Sequence, residues 1–460
     1  MGIFKANDIR GLWPREVNGP VFERLGRSLG TMAGGGAQFV VGCDGRLSGP
    51  ELKKALIDGL LGEGARVIDL GQVSTPECYF AKRAWNVANL AMVTASHNPL
   101  EYNGLKVMLG DRPATEEMIG PLEKIYESFD AGSPARAGEC AVKSPRAEYI
   151  AWLDEFARKA LKDRGGQKGF RIVFDAGHGP VGAFGAEVFE RSGVEAVKLN
   201  CSVDGRFPGR DPNCAIEGNL KGVMEAVRSS AAALAVSFDG DGDRLACIDN
   251  LGRFIPPDEL AVLLVRTGAV DVRGRKVVYD IKCSSIVPKA VRSMGGEALV
   301  ERSGHAYIRQ RMLSENARFG VEVSGHYFYR ELAGGDDAMV SALRVAAMAL
   351  GEPLAELRRR LVAEHHITPD VRVKVPAERQ EEIIESLSRF HGGREQLRLD
   401  GLRVELPEGW GLVRKSITEP KLTFRFEAES AVALEKVVKN FTAPLDEELK
   451  REILEKAFRE

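Results

Sequence analysis

Three aspartates, Asp239, Asp241 and Asp243, stand within five residues, with Gly240 and Gly242 between them. Alternate residues of an extended segment point the same way, so the three carboxylates converge. Like charges that close need a cation, and several hard oxygen ligands suit Mg²⁺ or Ca²⁺. A calcium-binding EF-hand also begins with alternating acids but needs Gly at its sixth loop position and Glu at its twelfth. Counted from Asp239, those positions hold Arg244 and Asn250, which excludes it. The bland alternative is a solvated acidic turn. A second stretch, Thr94-Ala95-Ser96-His97-Asn98-Pro99, follows the apolar run Leu90-Ala91-Met92-Val93 and offers the Ser96 hydroxyl. A residue at the carboxyl end of a strand in an α/β sheet sits where ligands bind. No G-x-S-x-G elbow surrounds Ser96. His97 adjoins it, and neighbouring side chains on an extended segment diverge, so His97 is not expected to serve it as a base. A third stretch, Glu322-Val323-Ser324-Gly325-His326, carries polar groups suited to a sugar. Together the three point to a serine that carries a phosphoryl group beside a divalent metal.

These stretches, in this order, with Arg414-Lys415-Ser416-Ile417-Thr418-Glu419-Pro420 after them, resemble the phosphoserine, metal, sugar and phosphate loops of the α-D-phosphohexomutase superfamily. That superfamily comprises phosphoglucomutases, phosphomannomutases and phosphoglucosamine mutases, and the resemblance spans essentially the whole chain. It implies interconversion of hexose 1-phosphates and 6-phosphates through a hexose 1,6-bisphosphate. Ser96 would be the phosphoryl carrier and, with Asp239, Asp241 and Asp243, a ligand of Mg²⁺. Tyr102-Asn103-Gly104-Leu105-Lys106 is similar to the superfamily's Y-N-G-x-K, which puts Lys106, with Arg244, on the transferring phosphoryl. Glu322 and Ser324 would bind the sugar hydroxyls. Arg414, Ser416 and Thr418 would hold the distal phosphate. Lys282 and His305 lie in segments that resemble further substrate contacts, and His326 or Arg10 would move the proton. Arg10 belongs to Phe4-Lys5-Ala6-Asn7-Asp8-Ile9-Arg10-Gly11, where Asn7 replaces the Tyr of many relatives. Gly42 to Ser48 resembles a loop bracing the serine loop, with Ser48 readable as a helix N-cap. Arg210 is a possible phosphate ligand. Asp175 to Gly179 is read as structural, His391 as a surface residue, and the run Arg358 to Arg360 as a solvated face. His365 and His366 are expected in a hinge, without a ligand.

Val323, Thr94 and Ile417 fit the phosphoglucomutase/phosphomannomutase branch, so glucose and mannose phosphates are the expected substrates, with a phosphoglucosamine mutase as the alternative. A sugar-phosphate-binding protein without catalysis would not need Ser96 beside three aspartates. A kinase should show G-x-x-x-x-G-K-[ST], which is missing, and a phosphatase would release its phosphoryl to water.

Three repeats must position these loops. Phe39 to Asp44, Arg171 to Asp175 and Lys276 to Asp280 each read as a strand ending in Asp. A glycine-containing turn and second strand follow each, and third strands lead to Ser96, Asp239 and Glu322. Helical patterns such as Glu51 to Leu61 and Glu259 to Val265 alternate with them, which predicts α/β units with mixed, parallel-rich sheets. After His365 the pattern changes to a smaller α+β unit. The expected domains are 1–148, 149–250, 251–366 and 367–460, consistent with 460 residues at about 150 per domain or fewer.

Charge is balanced, with 64 basic and 66 acidic residues, which argues against a broad nucleic-acid or anionic-membrane surface. No apolar run approaches the roughly 20 residues of a bilayer span. The seven cysteines include no C-x-x-C pair, which fits a reducing cytoplasm rather than a disulfide framework. The expected partners are small-molecule sugar phosphates, acting on a monomer or homodimer.

Overall fold

The computed structural model describes residues 2–129, 138–161, 169–416 and 420–458. Four sheets follow one another along the chain. Each of the first three has a parallel half and an antiparallel half. In the first, Gln38–Cys43 lies between Arg66–Gln72 and Asn89–Val93 in parallel, and Asn89–Val93 then pairs antiparallel with Tyr102–Leu109. In the second, Arg171–Asp175 lies parallel to Glu195–Leu199 and Leu234–Phe238, which turns back into Leu245–Ile248. The third repeats this with Lys276–Asp280, Glu297–Glu301, Phe319–Val321 and Tyr327–Tyr329. The parallel strands that lead into the loops, Asn89–Val93, Leu234–Phe238 and Phe319–Val321, are buried on both faces, which accounts for their mostly apolar composition.

The repeat places the chemistry. In each of the first three units the functional loop joins a buried parallel strand to its antiparallel neighbour. Ser96 lies between Val93 and Tyr102, the aspartates between Phe238 and Leu245, and Glu322 to His326 between Val321 and Tyr327. The fourth sheet is antiparallel, with Gly409–Lys415 and Lys421–Ala428 as one hairpin. Arg414 and Lys415, expected in a loop, therefore end a strand. Gly409-Trp410-Gly411 disguises that strand in the sequence. A Cβ at Gly411 would sit 2.2 Å from the Phe441 ring, so glycine there marks a close approach rather than a turn.

The second and third units share one apolar core, which includes Phe174, Phe238, Val321 and Tyr327. Helix Arg146–Leu161 packs into it, and Tyr149 donates a hydrogen bond to Asp337 Oδ2 at 2.7 Å. The first and fourth units have cores of their own. Three lesser expectations are corrected. Ser48 does not cap its helix, because its oxygen accepts from Asn103 at 2.8 Å. His391 is buried against Phe441, with Nε2 3.1 Å from the Phe441 carbonyl. Arg358 forks onto the buried Glu259, while Arg359 and Arg360 face solvent. Among the described residues no single helix is long and apolar enough to cross a bilayer.

Helices Gly19–Ala33 and Gly49–Gly62 of the first unit touch backbone to backbone. A Cβ at Gly59 would lie 2.0 Å from the Glu23 carbonyl oxygen. Gly59→Ala should therefore force the helices apart and cost about 1–3 kcal/mol. Urea unfolding measures this, and an unchanged midpoint would contradict the close packing.

Candidate active site

Ser96 is held by its own loop and by a buried arginine. Its N–H donates to Thr94 Oγ1 at 2.8 Å, and Thr94 in turn donates to Asp44 Oδ2 at 2.7 Å. Arg46, 1% exposed, donates to the carbonyls of Ser96 at 2.9 Å, Pro99 at 2.7 Å, Tyr102 at 2.9 Å, and Asn98. Burial works against its charge, and Asp44, 3.3 Å from Nε, answers it. The loop read as a brace thus acts through Arg46 and Asp44, neither of which was singled out within it. Ser96 has φ +50°, in the left-handed region. The segment is not extended there, so the expected divergence of Ser96 and His97 is corrected: Ser96 Oγ lies 3.3 Å from His97 Nδ1. Burial, with Arg244 and Arg10 nearby, holds His97 well below the usual imidazole range.

The aspartates converge through a tight turn rather than by strand alternation. Gly242, at φ +76°, reverses the chain, and the N–H groups of Gly242 and Arg244 donate to Asp239 Oδ1 at 3.1 and 3.2 Å. Ser96 Oγ donates to Asp239 Oδ2 at 2.8 Å. Gly240 permits this approach, because a Cβ there would lie 2.6 Å from the Ser96 carbonyl oxygen. Asp241 Oδ2 accepts from Lys106 Nζ and from Thr75 Oγ1, both at 2.7 Å. Thr75 opens helix Thr75–Ala84, whose start is fixed by a capping box between Ser74 and Glu77.

All three aspartates are buried, and one ligand oxygen from each lies within 4.8 Å of the others. Burial and the charges of Asp241 and Asp243 push Asp239 up to about 7. Burial also opposes ionisation of Asp243, but Lys106 and His326 outweigh it and hold its carboxyl low. Asp241 Oδ1 has no hydrogen-bond partner among the described residues. Crowded, buried carboxylates with an orphaned oxygen fit a hard divalent cation.

His326 links this triad to the sugar loop. Its Nε2 lies 3.2 Å from Asp243 Oδ1 and 3.7 Å from Asp336 Oδ2, and its Nδ1 lies 3.2 Å from Glu322 Oε2 and 2.8 Å from Ser324 Oγ. Burial and Arg244 work against the imidazolium, yet Asp243 and Glu322 prevail and push it up to about 10. Burial opposes the Glu322 charge, and His326 overcomes that, holding the carboxyl at about 2. Arg244 Nε sits 3.3 Å from His326 Nε2. The His305 ring lies 5.9 Å from that of His326, and burial, with Lys106 nearby, depresses it to about 3. Arg10 donates to Asn98 Oδ1 at 2.8 Å and pairs with Asp8. Ser96, Arg10, Lys106, Arg244, Glu322, Ser324, His305 and His326 thus gather around the aspartates.

Of the remaining expected residues, Arg414 and Ser416 come together away from the aspartates. Arg414 pairs with Asp400 at 3.1 Å and lines a cavity of about 420 Å³ with Ser416. Lys282 pairs with Asp370 of the fourth unit at 2.6 Å. Thr418 lies outside the described residues. Arg210 is not placed to meet a phosphate. It is buried on Asp175 at 2.7 Å and on Ser237 at 3.0 Å, where it braces the second sheet. Sequence reasoning placed Arg46 in the bracing loop without giving it a role, and did not find Thr75 or Asp336, which belong to no motif.

Three consecutive α/β units whose loops meet at one serine–aspartate centre, followed by a smaller fourth unit, define an α-D-phosphohexomutase architecture. Residues 1–133, 147–252 and 256–365 match phosphoglucomutase/phosphomannomutase α/β/α domains I, II and III, and residues 371–443 match the C-terminal domain. A phosphomannomutase/phosphoglucomutase of Pseudomonas putida is 33% identical over 450 residues, covering 96% of this chain and 95% of that protein. A phosphoglucomutase of Neisseria gonorrhoeae is 33% identical over 452 residues, covering 96% of each. The crystal structure of a phosphoglucomutase/phosphomannomutase family protein from Burkholderia thailandensis superposes with a TM-score of 0.85 at 32% identity, covering 98% of this chain and 97% of that one. The chain belongs to the phosphoglucomutase/phosphomannomutase family.

Breaking the brace under Ser96 tests how the loop is held. Arg46→Ala leaves the buried Asp44 charge and several carbonyls unpaired and should destabilise the protein by about 3–5 kcal/mol. Denaturant unfolding measures it, and a loss below about 1 kcal/mol would place Arg46 outside the support of the loop.

Proposed function

We propose that this chain interconverts hexose 1-phosphates and hexose 6-phosphates, with glucose and mannose as the sugars, and that Ser96 carries the phosphoryl group. The observation that carries the reading is the contact of Ser96 Oγ with Asp239 Oδ2, 2.8 Å, inside a buried carboxylate triad. The names of the relatives and the fit of Val323 to their branch support the choice of sugars.

In this reading Asp239, Asp241, Asp243 and the seryl phosphate would hold Mg²⁺, which would supply Lewis-acid neutralisation of the phosphoryl charge. Phosphoryl transfer depends mainly on positioning and on neutralising charge. Arg244 and Lys106 serve the non-bridging oxygens. Glu322 and Ser324 bind the pair of sugar hydroxyls that both orientations share. A sugar hydroxyl oxygen forms a bond to phosphorus as the bond from phosphorus to Ser96 Oγ breaks, which gives the hexose 1,6-bisphosphate. That molecule turns end over end, and Ser96 Oγ takes the phosphoryl from the other end. The proton that the hydroxyl loses ends on Ser96 Oγ, and His326 or Arg10 assists that transfer. Arg414, Ser416 and Thr418 hold the distal phosphate in both orientations, with Lys282 and His305 as further contacts.

Removal of the carrier tests this directly. Ser96→Ala should lower turnover of glucose 1-phosphate and mannose 1-phosphate by roughly 10³-fold or more in a coupled assay. Near-normal turnover would defeat the assignment. Removal of the metal tests the triad. Exhaustive chelation should abolish activity and Mg²⁺ should restore it, and Asp241→Asn should raise the Mg²⁺ concentration needed. Full activity after chelation would contradict the role given to the aspartates.

A further inference from the structure

The cavity of about 420 Å³ that holds Arg414 and Ser416 opens where the first, third and fourth units meet. Arg302 and Glu116 also line it. Arg302 lies between strand Glu297–Glu301 and helix His305–Ser314, in the third unit. Its two terminal nitrogens donate to the two oxygens of Glu116, Nη1 to Oε1 at 3.2 Å and Nη2 to Oε2 at 3.0 Å. Glu116 begins helix Glu116–Ser128 of the first unit. The guanidinium lies 3.6 Å from the centre of the Tyr307 ring, and Tyr307 is buried, so the plane of the fork is set from behind.

Two readings compete. One is a tether between units. The pair is exposed, 39% for Arg302 and 49% for Glu116, and at that exposure an ion pair contributes about 1 kcal/mol or less. The other is an anion site filled by a protein carboxylate. A planar fork matches two oxygens of a carboxylate or of a phosphate alike. The neighbouring cation shows the same arrangement. Arg414 Nη2 pairs with Asp400 Oδ2 at 3.1 Å, and the Ser303 N–H donates to that oxygen at 3.4 Å. Of the three arginines that line the cavity, Arg398 forks onto Glu385 outside it, while Arg302 and Arg414 are occupied by carboxylates on its wall, Arg302 through a weak, solvent-facing pair.

We propose that Arg302 is a further ligand of the distal sugar phosphate, and that Glu116 is the counter-ion it releases when the phosphate enters. The proposal rests on the mutase reading above. A phosphate dianion would take the two positions of the Glu116 oxygens on the fork, beside Arg414 and Ser416. Glu116 would then compete with substrate. Breaking the pair from its two sides must therefore have opposite effects on binding, whereas a tether broken from either side must fail in the same direction.

The test measures kcat and KM for glucose 1-phosphate and glucose 6-phosphate in the wild type, Arg302→Ala, Arg302→Lys and Glu116→Gln. Arg302→Ala should raise both KM values about tenfold, with kcat changed less, on the scale of losing a charged hydrogen-bonded contact. Arg302→Lys should fall between it and the wild type. Glu116→Gln should lower both KM values roughly twofold to threefold, the scale of an exposed pair. An unchanged KM in Arg302→Ala, or KM values that move the same way in Arg302→Ala and Glu116→Gln, would overturn the proposal. If the wild type turned over neither sugar, the mutase reading would fail first. Calorimetric binding of glucose 6-phosphate to the same variants would then decide on Arg302, with the same opposite shifts expected.

Discussion

The structure depends on keeping three aspartates together out of water. Asp239, Asp241 and Asp243 are buried with ligand oxygens within 4.8 Å of one another, an arrangement that mutual repulsion and desolvation both oppose. The cations that answer it come from different units. Lys106 lies on a strand of the first, Arg244 follows the aspartates in the second, and His326 ends the sugar loop of the third. No unit alone can hold this charge. The centre therefore exists only when the three sheets are assembled, and the apolar core shared by the second and third units fixes two of the partners relative to each other.

That constraint also explains the repeated hairpin. A loop between a buried parallel strand and its antiparallel neighbour is anchored by ladder hydrogen bonds on both sides, which makes it a rigid place for a reactive side chain. Ser96, the aspartates and Glu322 to His326 all occupy such loops. Backbone carbonyls are the handles by which the serine loop is then locked, through Arg46. The loops approach so closely that Gly240 has no room for a side chain beside the Ser96 carbonyl.

Much of this was legible in the sequence because the chemistry sits in short contiguous loops. Ser96, the aspartates and Glu322 to His326 announce themselves by residue type and order, and the apolar strands before them are continuous. What was hidden acts across distance. Thr75 reaches Asp241 from 166 positions away, and Arg46 reaches Ser96 from 50. Nothing local distinguishes Thr75 from an ordinary polar residue, and the bracing loop did not say which of its residues makes the contact. The left-handed backbone at Ser96 was also invisible, since a serine carries no signal for it, and so the neighbouring His97 was placed on the wrong side. Strand Gly409–Lys415 was lost because its glycines serve packing against Phe441 rather than a turn.

The central claim is that the phosphoryl group travels by way of Ser96 and not directly between sugar positions or to water. It is tested most directly by supplying glucose 1-phosphate radiolabelled in its phosphate and mapping the label on the protein after turnover. In a carrier mechanism the phosphate that began on the sugar's first carbon ends on the serine. The account predicts labelled phosphate on the peptide that contains Ser96. Label confined to glucose 6-phosphate or free phosphate, with Ser96 unlabelled throughout turnover, would contradict it.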